Sequence, residues 1–176
     1  MTLATRIALV AALLTPAALS AQSRTAVAIA AGPSFPLAKF RDTQSSGMDY
    51  NLSFTRGSDD APFGFRLDFG YDRMKGKASG TTVGPERKIV SGTLNFLFSF
   101  SGHRAKPYLF GGPGGFKMTS MPVAADSKTK FGWDLGAGVT LPLAGRAVYL
   151  ESRINSISQT PAKPIRFVPI VLGLLF

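Results

Sequence analysis

Large apolar residues alternate with polar or small residues over most of the chain. The clearest stretch runs from residue 63 to residue 72, where Phe, Leu or Tyr stands at every odd position and Gly, Arg or Asp at every even one. The same period of two recurs at residues 48–55 and 130–141. In a β-strand successive side chains point to opposite faces, so this pattern predicts strands with one apolar face and one face of glycine and charge.

Eight segments show this pattern. We expect strands at about residues 25–32, 48–56, 62–72, 88–100, 107–118, 130–141, 147–156 and 165–176. The connections between them alternate between short (57–61, 101–106, 142–146) and mostly longer ones (33–47, 73–87, 119–129, 157–164). An even strand number with short turns on one side and long loops on the other is typical of transmembrane barrels. The sequence therefore predicts an all-β fold, an eight-stranded antiparallel up-and-down transmembrane β-barrel with both mature ends on the turn side.

The charged face of these strands is also the glycine-rich face, which suits a narrow barrel interior. A soluble sandwich or lipocalin-like barrel, the alternative, would instead point its bulky side chains inward. Aromatic residues near the strand ends are expected to form girdles at the two membrane interfaces. These residues are Tyr50, Tyr71 and Trp133 on the loop side, and Tyr108, Phe100 and Phe176 on the turn side. Pro113 cannot donate to a ladder, so it predicts a bulge or kink.

The N-terminal residues have the organisation of a secretory signal peptide. Arg6 precedes an apolar run from Ile7 to Leu14, and Pro16 and small residues follow up to Ala21. A run this short is below the roughly 20 residues of a membrane anchor, so we expect a leader at residues 1–21 and one barrel domain at residues 22–176. The sequence contains no Cys, which excludes disulfides and a lipid anchor on cysteine.

The chain is strongly basic, with 20 Lys and Arg against 10 Asp and Glu. Such a balance favours nucleic acid or an anionic membrane surface as partner, and export weighs against nucleic acid. Many basic residues fall on the predicted loop side, where they would pair with phosphates of lipopolysaccharide or simply be solvated. This loop basic patch comprises Arg73, Lys75, Lys77, Arg87, Lys88, Lys128 and Lys130.

Several charged residues should face the barrel interior at similar height. Counted from the turn side, Arg66, Asp68, Asp134, Glu151 and Arg153 all fall near the middle, and Lys117 is expected closer to the loop end. Because an unpaired buried charge is unfavourable, an ion-pair network that fills the lumen is the first interpretation. A gate in a narrow pore is the alternative.

Residues that could carry catalysis are sparse. His103, the single histidine, lies in a predicted tight turn, and Asp59 and Asp60 fit turn formers in another. The glycine run at 111–115 lacks the following helix of a phosphate loop, and no residues have metal-ligand spacing. We therefore expect no enzyme activity, no cofactor and no metal.

The last strand resembles those of outer-membrane barrels, whose terminal Phe is the signal read by the barrel-assembly machinery. The residues carrying this assembly signal are Val168, Ile170, Leu172, Leu174 and Phe176. Residues 106–116 (KPYLFGGPGGF), 131–139 (FGWDLGAGV) and 148–154 (VYLESRI) are similar to small OmpA/OmpX-type and OmpW-like barrels. The resemblance implies a monomer in the outer membrane of a Gram-negative bacterium, in contact with lipid and lipopolysaccharide.

These observations together favour a non-enzymatic outer-membrane barrel with a structural or surface-interaction role in the cell envelope. One alternative is a narrow conduit for small molecules, including hydrophobic ones. A second alternative is a soluble exported ligand-binding barrel.

Overall fold

Long antiparallel strands make up most of the protein. The computed structural model describes residues 23–176 except 59–61, 80–81, 103, 122–126, 144–145 and 160–161. The barrel strands are β1 (Ser23–Leu37), β2 (Gln44–Ser58), β3 (Phe63–Gly76), β6 (Glu86–Ser99), β7 (Lys106–Met121), β8 (Lys128–Leu143), β9 (Arg146–Ile157) and β10 (Ile165–Leu175). A short helix, α1 (Phe40–Thr43), lies between β1 and β2, and β4 (Ala78–Ser79) pairs with β5 (Thr82–Val83) in a small ribbon.

The eight long strands close into a barrel in the order β1, β10, β9, β8, β7, β6, β3, β2. Each pairs with its neighbours in antiparallel fashion, and β1 meets β10 with Ala28 opposite Leu175 and Leu37 opposite Arg166. Val27 and Phe176 exchange two backbone hydrogen bonds of 3.1 and 2.8 Å just beyond that ladder. Closure gives each strand two partners, which satisfies backbone groups that an open edge would expose. The predicted all-β, eight-stranded antiparallel closed barrel is confirmed.

The two faces of the sheet are chemically opposite, as the alternation predicts. Phe65 is 62% exposed on the outside, whereas Arg66 and Asp68 are buried inside. Leu67 and Phe69 also face outward, beside an exterior rich in Phe, Leu and Ile. Over the described ranges, no helix has the length and apolar character needed to cross a bilayer.

The strands extend further at the loop end than the sequence pattern indicates. β1 continues to Leu37 and β2 begins at Gln44, so the loop expected at 33–47 shrinks to residues 38–43, which include α1. Similarly, β3 reaches Gly76 and β6 starts at Glu86. Cross-strand pairing continues past the apolar zone because ladder hydrogen bonds do not depend on side-chain hydrophobicity.

Of the bulge or kink expected at Pro113, the bulge is absent. The ladder between β6 and β7 is interrupted there, yet Thr93 opposite Gly114 and Phe96 opposite Gly111 keep one register on both sides. A β-bulge would insert an extra residue and change that register. At the neighbouring Gly112 a Cβ atom would meet the carbonyl oxygen of Leu94, so the two backbones approach closely at this point.

The face assignment of β7 from sequence is wrong. Tyr108 was expected in an interface girdle but is buried inside, and Lys117 was expected inside but is exposed on the outer face. The glycine run at 111–115 carries no alternation from which to assign a face. Phe110 and Phe116 point inward instead, over Gly136 and Gly132 of β8, which leave room for their rings.

Inward side chains form three successive layers from the turn end to the loop end, and β9 contributes residues to each of them. Tyr149 belongs to an aromatic layer near the turn end, Glu151 and Arg153 to a charged layer, and Ile157 to an apolar plug near the loop end. The apolar plug consists of Phe40, Met74, Ile89, Phe116, Met118, Ile157 and Phe167. The aromatic layer consists of Ala28, Ala30, Tyr108, Phe110, Tyr149 and Val171.

Candidate functional site

Arg66 spans the barrel interior from β3 to β9. Its Nη1 and Nη2 atoms donate to the two carboxylate oxygens of Glu151 at 2.6 and 3.1 Å. Its Nε atom also donates to Asp68 Oδ2 at 2.8 Å. A two-point guanidinium–carboxylate contact fixes orientation as well as distance, so Arg66 cross-links opposite walls of the barrel.

Arg153 connects the remaining predicted charges. Its Nη2 atom donates to Glu151 Oε1 at 2.6 Å, and its Nη1 atom lies 3.9 Å from Asp68 Oδ1 and 3.8 Å from Asp134 Oδ2. Each of these side chains is at most 6% exposed. The structure thus brings together Arg66, Asp68, Asp134, Glu151 and Arg153, which we call the lumen network.

Neutral side chains that the sequence reasoning missed complete the lumen network. Asn95 Nδ2 donates to Asp68 Oδ2 at 2.7 Å and to Asp134 Oδ2 at 3.3 Å, and Thr93 Oγ1 donates to Asp134 Oδ2 at 2.9 Å. Ser53 Oγ donates to Asp68 Oδ1. Their inward position on β2 and β6 was the available signal, because it puts Ser53 and Thr93 level with Asp68 and Asn95 level with Arg66.

Aromatic residues support the same network from the turn side. Tyr108 Oη donates to Glu151 Oε2 at 2.7 Å. The Arg66 guanidinium carbon lies 3.8 Å from the centre of the Phe110 ring, close enough for a cation–π interaction. The Tyr108 ring packs over Gly138, where a Cβ atom would lie 2.4 Å from its hydroxyl oxygen. Glycine on β8 is thus required for the tyrosine to reach Glu151.

A further acidic pair lies between the lumen network and the apolar plug. Asp49 on β2 is directly opposite Asp72 on β3, and both are buried. Ser34 Oγ donates to Asp72 Oδ1 at 2.7 Å. Alternation placed both aspartates inside, but the sequence reasoning did not include them among the lumen charges. The buried residues described here comprise five carboxylates and two guanidinium groups.

The seven residues of the loop basic patch all lie at the loop end but do not share one surface. Arg73, Lys75 and Lys88 lie on the outward-facing positions of β3 and β6, and Arg73 donates to both carboxylate oxygens of Glu86 at 2.9 Å. Lys77 is exposed between β3 and β4. Arg87, Lys128 and Lys130 instead line an inward cavity of about 180 Å³.

The five residues of the assembly signal share the outer face of the last strand. Ile170, Leu172, Leu174 and Phe176 are exposed there, and Val168 is half-buried. The Arg146 guanidinium carbon lies 5.0 Å from the centre of the Phe176 ring. Phe176 thus contacts β9 through this side-chain interaction and β1 through its backbone hydrogen bonds with Val27.

Some sequence predictions fall on residues outside the described ranges. These are the leader at 1–21 and the turn residues His103, Asp59 and Asp60. Among the residues that the structure does describe, no three or more His, Cys, Asp or Glu side chains cluster in a way that could hold a metal ion.

Solved structures show the same fold at low sequence identity. Neisserial surface protein A is 17% identical, with a TM-score of 0.66 over 87% of this chain and 97% of that one. The attachment invasion locus protein Ail of Yersinia pestis is 15% identical, with a TM-score of 0.58 over 88% and 99%. The outer membrane enzyme PagL is 19% identical, with a TM-score of 0.51 over 86% and 98%.

Family comparison covers most of the sequence. No curated protein matches the chain. The model of the outer membrane protein beta-barrel domain matches residues 7–163. On this match, and with the closed eight-stranded architecture, the chain belongs to the outer membrane protein beta-barrel domain family and is located in the outer membrane.

Proposed function

We propose that this protein is a non-catalytic outer-membrane barrel with a sealed lumen, acting in the cell envelope through its outer face and its loop end. The observation that carries the proposal is the succession of the lumen network and the apolar plug across the interior. An eight-stranded barrel is just wide enough for side chains to fill. Solutes would have to displace both layers to pass.

The lumen network strengthens the seal because its parts come from different strands. Opening a path past Arg66 would separate it from Glu151 on the opposite wall, where the contact is only 2.6 Å long. Removing one partner from a buried ion pair is unfavourable by about 3–5 kcal/mol. With a free-energy cost of that size, the lumen would open spontaneously only rarely.

Current recordings in planar lipid bilayers test the sealed lumen. The native barrel should give no unitary conductance. The variant Phe116→Ala, combined with Ile157→Ala, removes two side chains of the apolar plug and should increase leakage, whereas Lys163→Gln at the exposed loop end should not. Regular channels from the native protein would contradict the seal and favour the conduit.

A narrow conduit is the second candidate function, and one observation favours it. A cavity of about 520 Å³ opens from the turn end and reaches Arg66, so half of a path already exists. A soluble exported ligand-binding barrel is set aside, because the family is located in the outer membrane and the exterior is apolar.

PagL shows that this fold can also carry an enzyme. We infer the non-catalytic role from this chain's own interior, where Arg66 and Arg153 are held in ion pairs with Glu151 and Asp68 instead of surrounding a reactive side chain. Glu151, a buried carboxylate, receives hydrogen bonds from Arg66, Arg153 and Tyr108.

The loop end is proposed to bind phosphates of lipopolysaccharide. Lys75 and Lys88 lie on the outer face, further toward the loop end than Tyr50 and Tyr71, the aromatic pair expected at that interface. Ail was solved with the heparin analogue sucrose octasulfate, a highly anionic ligand, which supports an anionic partner at such barrels. Reversing both lysines to Glu should weaken binding to lipopolysaccharide-containing nanodiscs, whereas Arg56→Glu at the turn end should not. Equal binding by all three proteins would contradict this role.

Export and assembly complete the proposal. We propose that residues 1–21 direct export and are removed after Ala21, and that the outward face ending in Phe176 is recognised by the barrel-assembly machinery. Mass spectrometry of the purified protein should give a mature N-terminus at Gln22. An intact Met1 in the membrane fraction would contradict the proposed cleavage.

A further inference from the structure

The turn end of the barrel contains a cavity that the sealed-lumen function does not use. Its volume is about 520 Å³, within the range of small-molecule sites in proteins. Ala26, Ala28, Leu97, Ala147 and Leu175 form apolar walls. The cavity lies on the turn side of the lumen network, so a ligand could enter it without passing the charged layer.

The charged residues that the structure describes in the cavity lining are all basic. Its described lining residues include Arg66, Arg104 and Lys106 but no carboxylate. Arg66 at the inner end is already paired with Glu151 and Asp68. Arg104 and Lys106 at the mouth are exposed, and no described carboxylate forms an ion pair with either. The mouth therefore favours an anionic group.

A buried hydroxyl also borders the cavity. Tyr149 is only 4% exposed, and its Oη atom has no hydrogen-bond partner in the described part of the chain. The ring is fixed in place because it packs over Gly173, where a Cβ atom would meet it at 2.4 Å. A buried hydroxyl without a partner is unfavourable, so a ligand oxygen within reach of Tyr149 would be stabilised.

We propose that this cavity binds a small amphipathic carboxylate that carries a second oxygen on its apolar body. The carboxylate pairs with Arg104 and Lys106 at the mouth. The apolar body packs against Ala28, Leu97 and Leu175, and the second oxygen hydrogen-bonds with the Tyr149 hydroxyl. Cations at the mouth, apolar walls and one inner hydroxyl are complementary to those three parts of the ligand.

The fluorescent compound 6-hydroxy-2-naphthoate is a suitable probe, and 2-naphthoate, which lacks the hydroxyl, is its matched control. Titration calorimetry would use the full barrel in lipid nanodiscs, with empty nanodiscs as the blank. Native protein should bind the hydroxylated probe saturably at one site. Tyr149→Phe should weaken that binding about fivefold to tenfold and leave 2-naphthoate binding unchanged, since only a hydroxyl is lost.

Two further variants test the mouth and the walls. Arg104→Gln with Lys106→Gln should weaken both probes at least about tenfold, because charge-assisted contacts are the stronger ones. Ala26→Phe fills the cavity and should abolish binding of both probes. Lys163→Gln removes the same kind of charge at the loop end and should change nothing. Heat-modifiable mobility on gels checks that each variant is folded.

The proposal is overturned if native barrels take up no more probe than empty nanodiscs do. It is also overturned if Ala26→Phe binds as well as the native protein, or if Lys163→Gln weakens binding as much as the mouth variants. Loss of affinity for both probes in Tyr149→Phe would exclude the hydrogen bond assigned to that hydroxyl. None of these outcomes depends on whether the lumen conducts ions.

Discussion

Glu151 is the residue at which side-chain contacts from several strands meet inside the barrel. It accepts hydrogen bonds from Arg66, Arg153 and Tyr108, which come from three strands. Asp68 has a similar role on the opposite wall, where it accepts from Arg66, Ser53 and Asn95. Because these contacts connect strands far apart in sequence, losing one carboxylate leaves several buried donors without a partner.

Replacing Glu151 with Ala should lower the free energy of unfolding by about 3 kcal/mol or more, since two guanidinium groups would stay buried without it. Urea unfolding in lipid vesicles, followed by the fluorescence of Trp133, measures this change. Glu86→Ala removes a carboxylate from an exposed ion pair and should leave stability nearly unchanged. Equal effects of the two substitutions would contradict the lumen network as a source of stability.

Gly138 is predicted to be intolerant of a methyl group. Gly138→Ala would place a Cβ atom 2.4 Å from the Tyr108 hydroxyl oxygen, so the ring must move away from Glu151. Overpacking of this kind destabilises by about 1–3 kcal/mol. Gly115→Ala is the matched control, because no atom lies within 4 Å of the Cβ that it adds. The same unfolding experiment should separate the two variants, and equal stability would contradict the packing.

Sequence could predict the charges of the lumen but not all of their partners. Arg66 and Glu151 lie mid-strand beside large apolar residues that face outward, so both could be placed inside and at similar height. Ser53, Thr93 and Asn95 are small polar residues that occur on either face, and their roles depend on distances that only the folded barrel sets. Asp49 and Asp72 were on the predicted inner face, but their pairing depends on the register of β2 and β3.

At the level of single strands, β7 shows where alternation stops being informative. Its glycines at 111, 112, 114 and 115 have no side chain that marks a face, so the alternation of apolar and polar residues cannot be followed across them. Packing decides the face instead, because Phe110 and Phe116 find space over the glycines of β8. The extra strand length at the loop end was missed for a similar reason, since pairing continues where hydrophobic contrast has ended.

Single-cysteine labelling can test the face of β7, because the native chain has no cysteine. Lys117→Cys should react rapidly with a water-soluble maleimide, since its side chain is exposed on the outer face level with Tyr71, at the expected membrane interface. Met118→Cys should be protected within the apolar plug. The reverse order of reactivity would restore the face assignment that the sequence suggested.

For the whole molecule, the strand number, the closure and the inversion of apolar and polar faces were all predictable. They depend on periodicity and on the rule that a membrane offers no partner to open backbone groups. The three-layer interior was not predictable, because the plug and the aromatic layer use residues such as Met74, Ile89 and Tyr108 whose inward position follows from register.

Disulfide trapping across the seam between β1 and β10 tests the closed barrel most directly. Ala28 and Leu175 are directly opposite each other, so cysteines at these positions should be within bridging distance. Mild oxidation of the Ala28→Cys, Leu175→Cys protein in membranes should give an intramolecular disulfide, whereas Ala28→Cys with Phe167→Cys should give none. Failure of the first pair to bridge, or its bridging only between molecules, would contradict closure of the barrel.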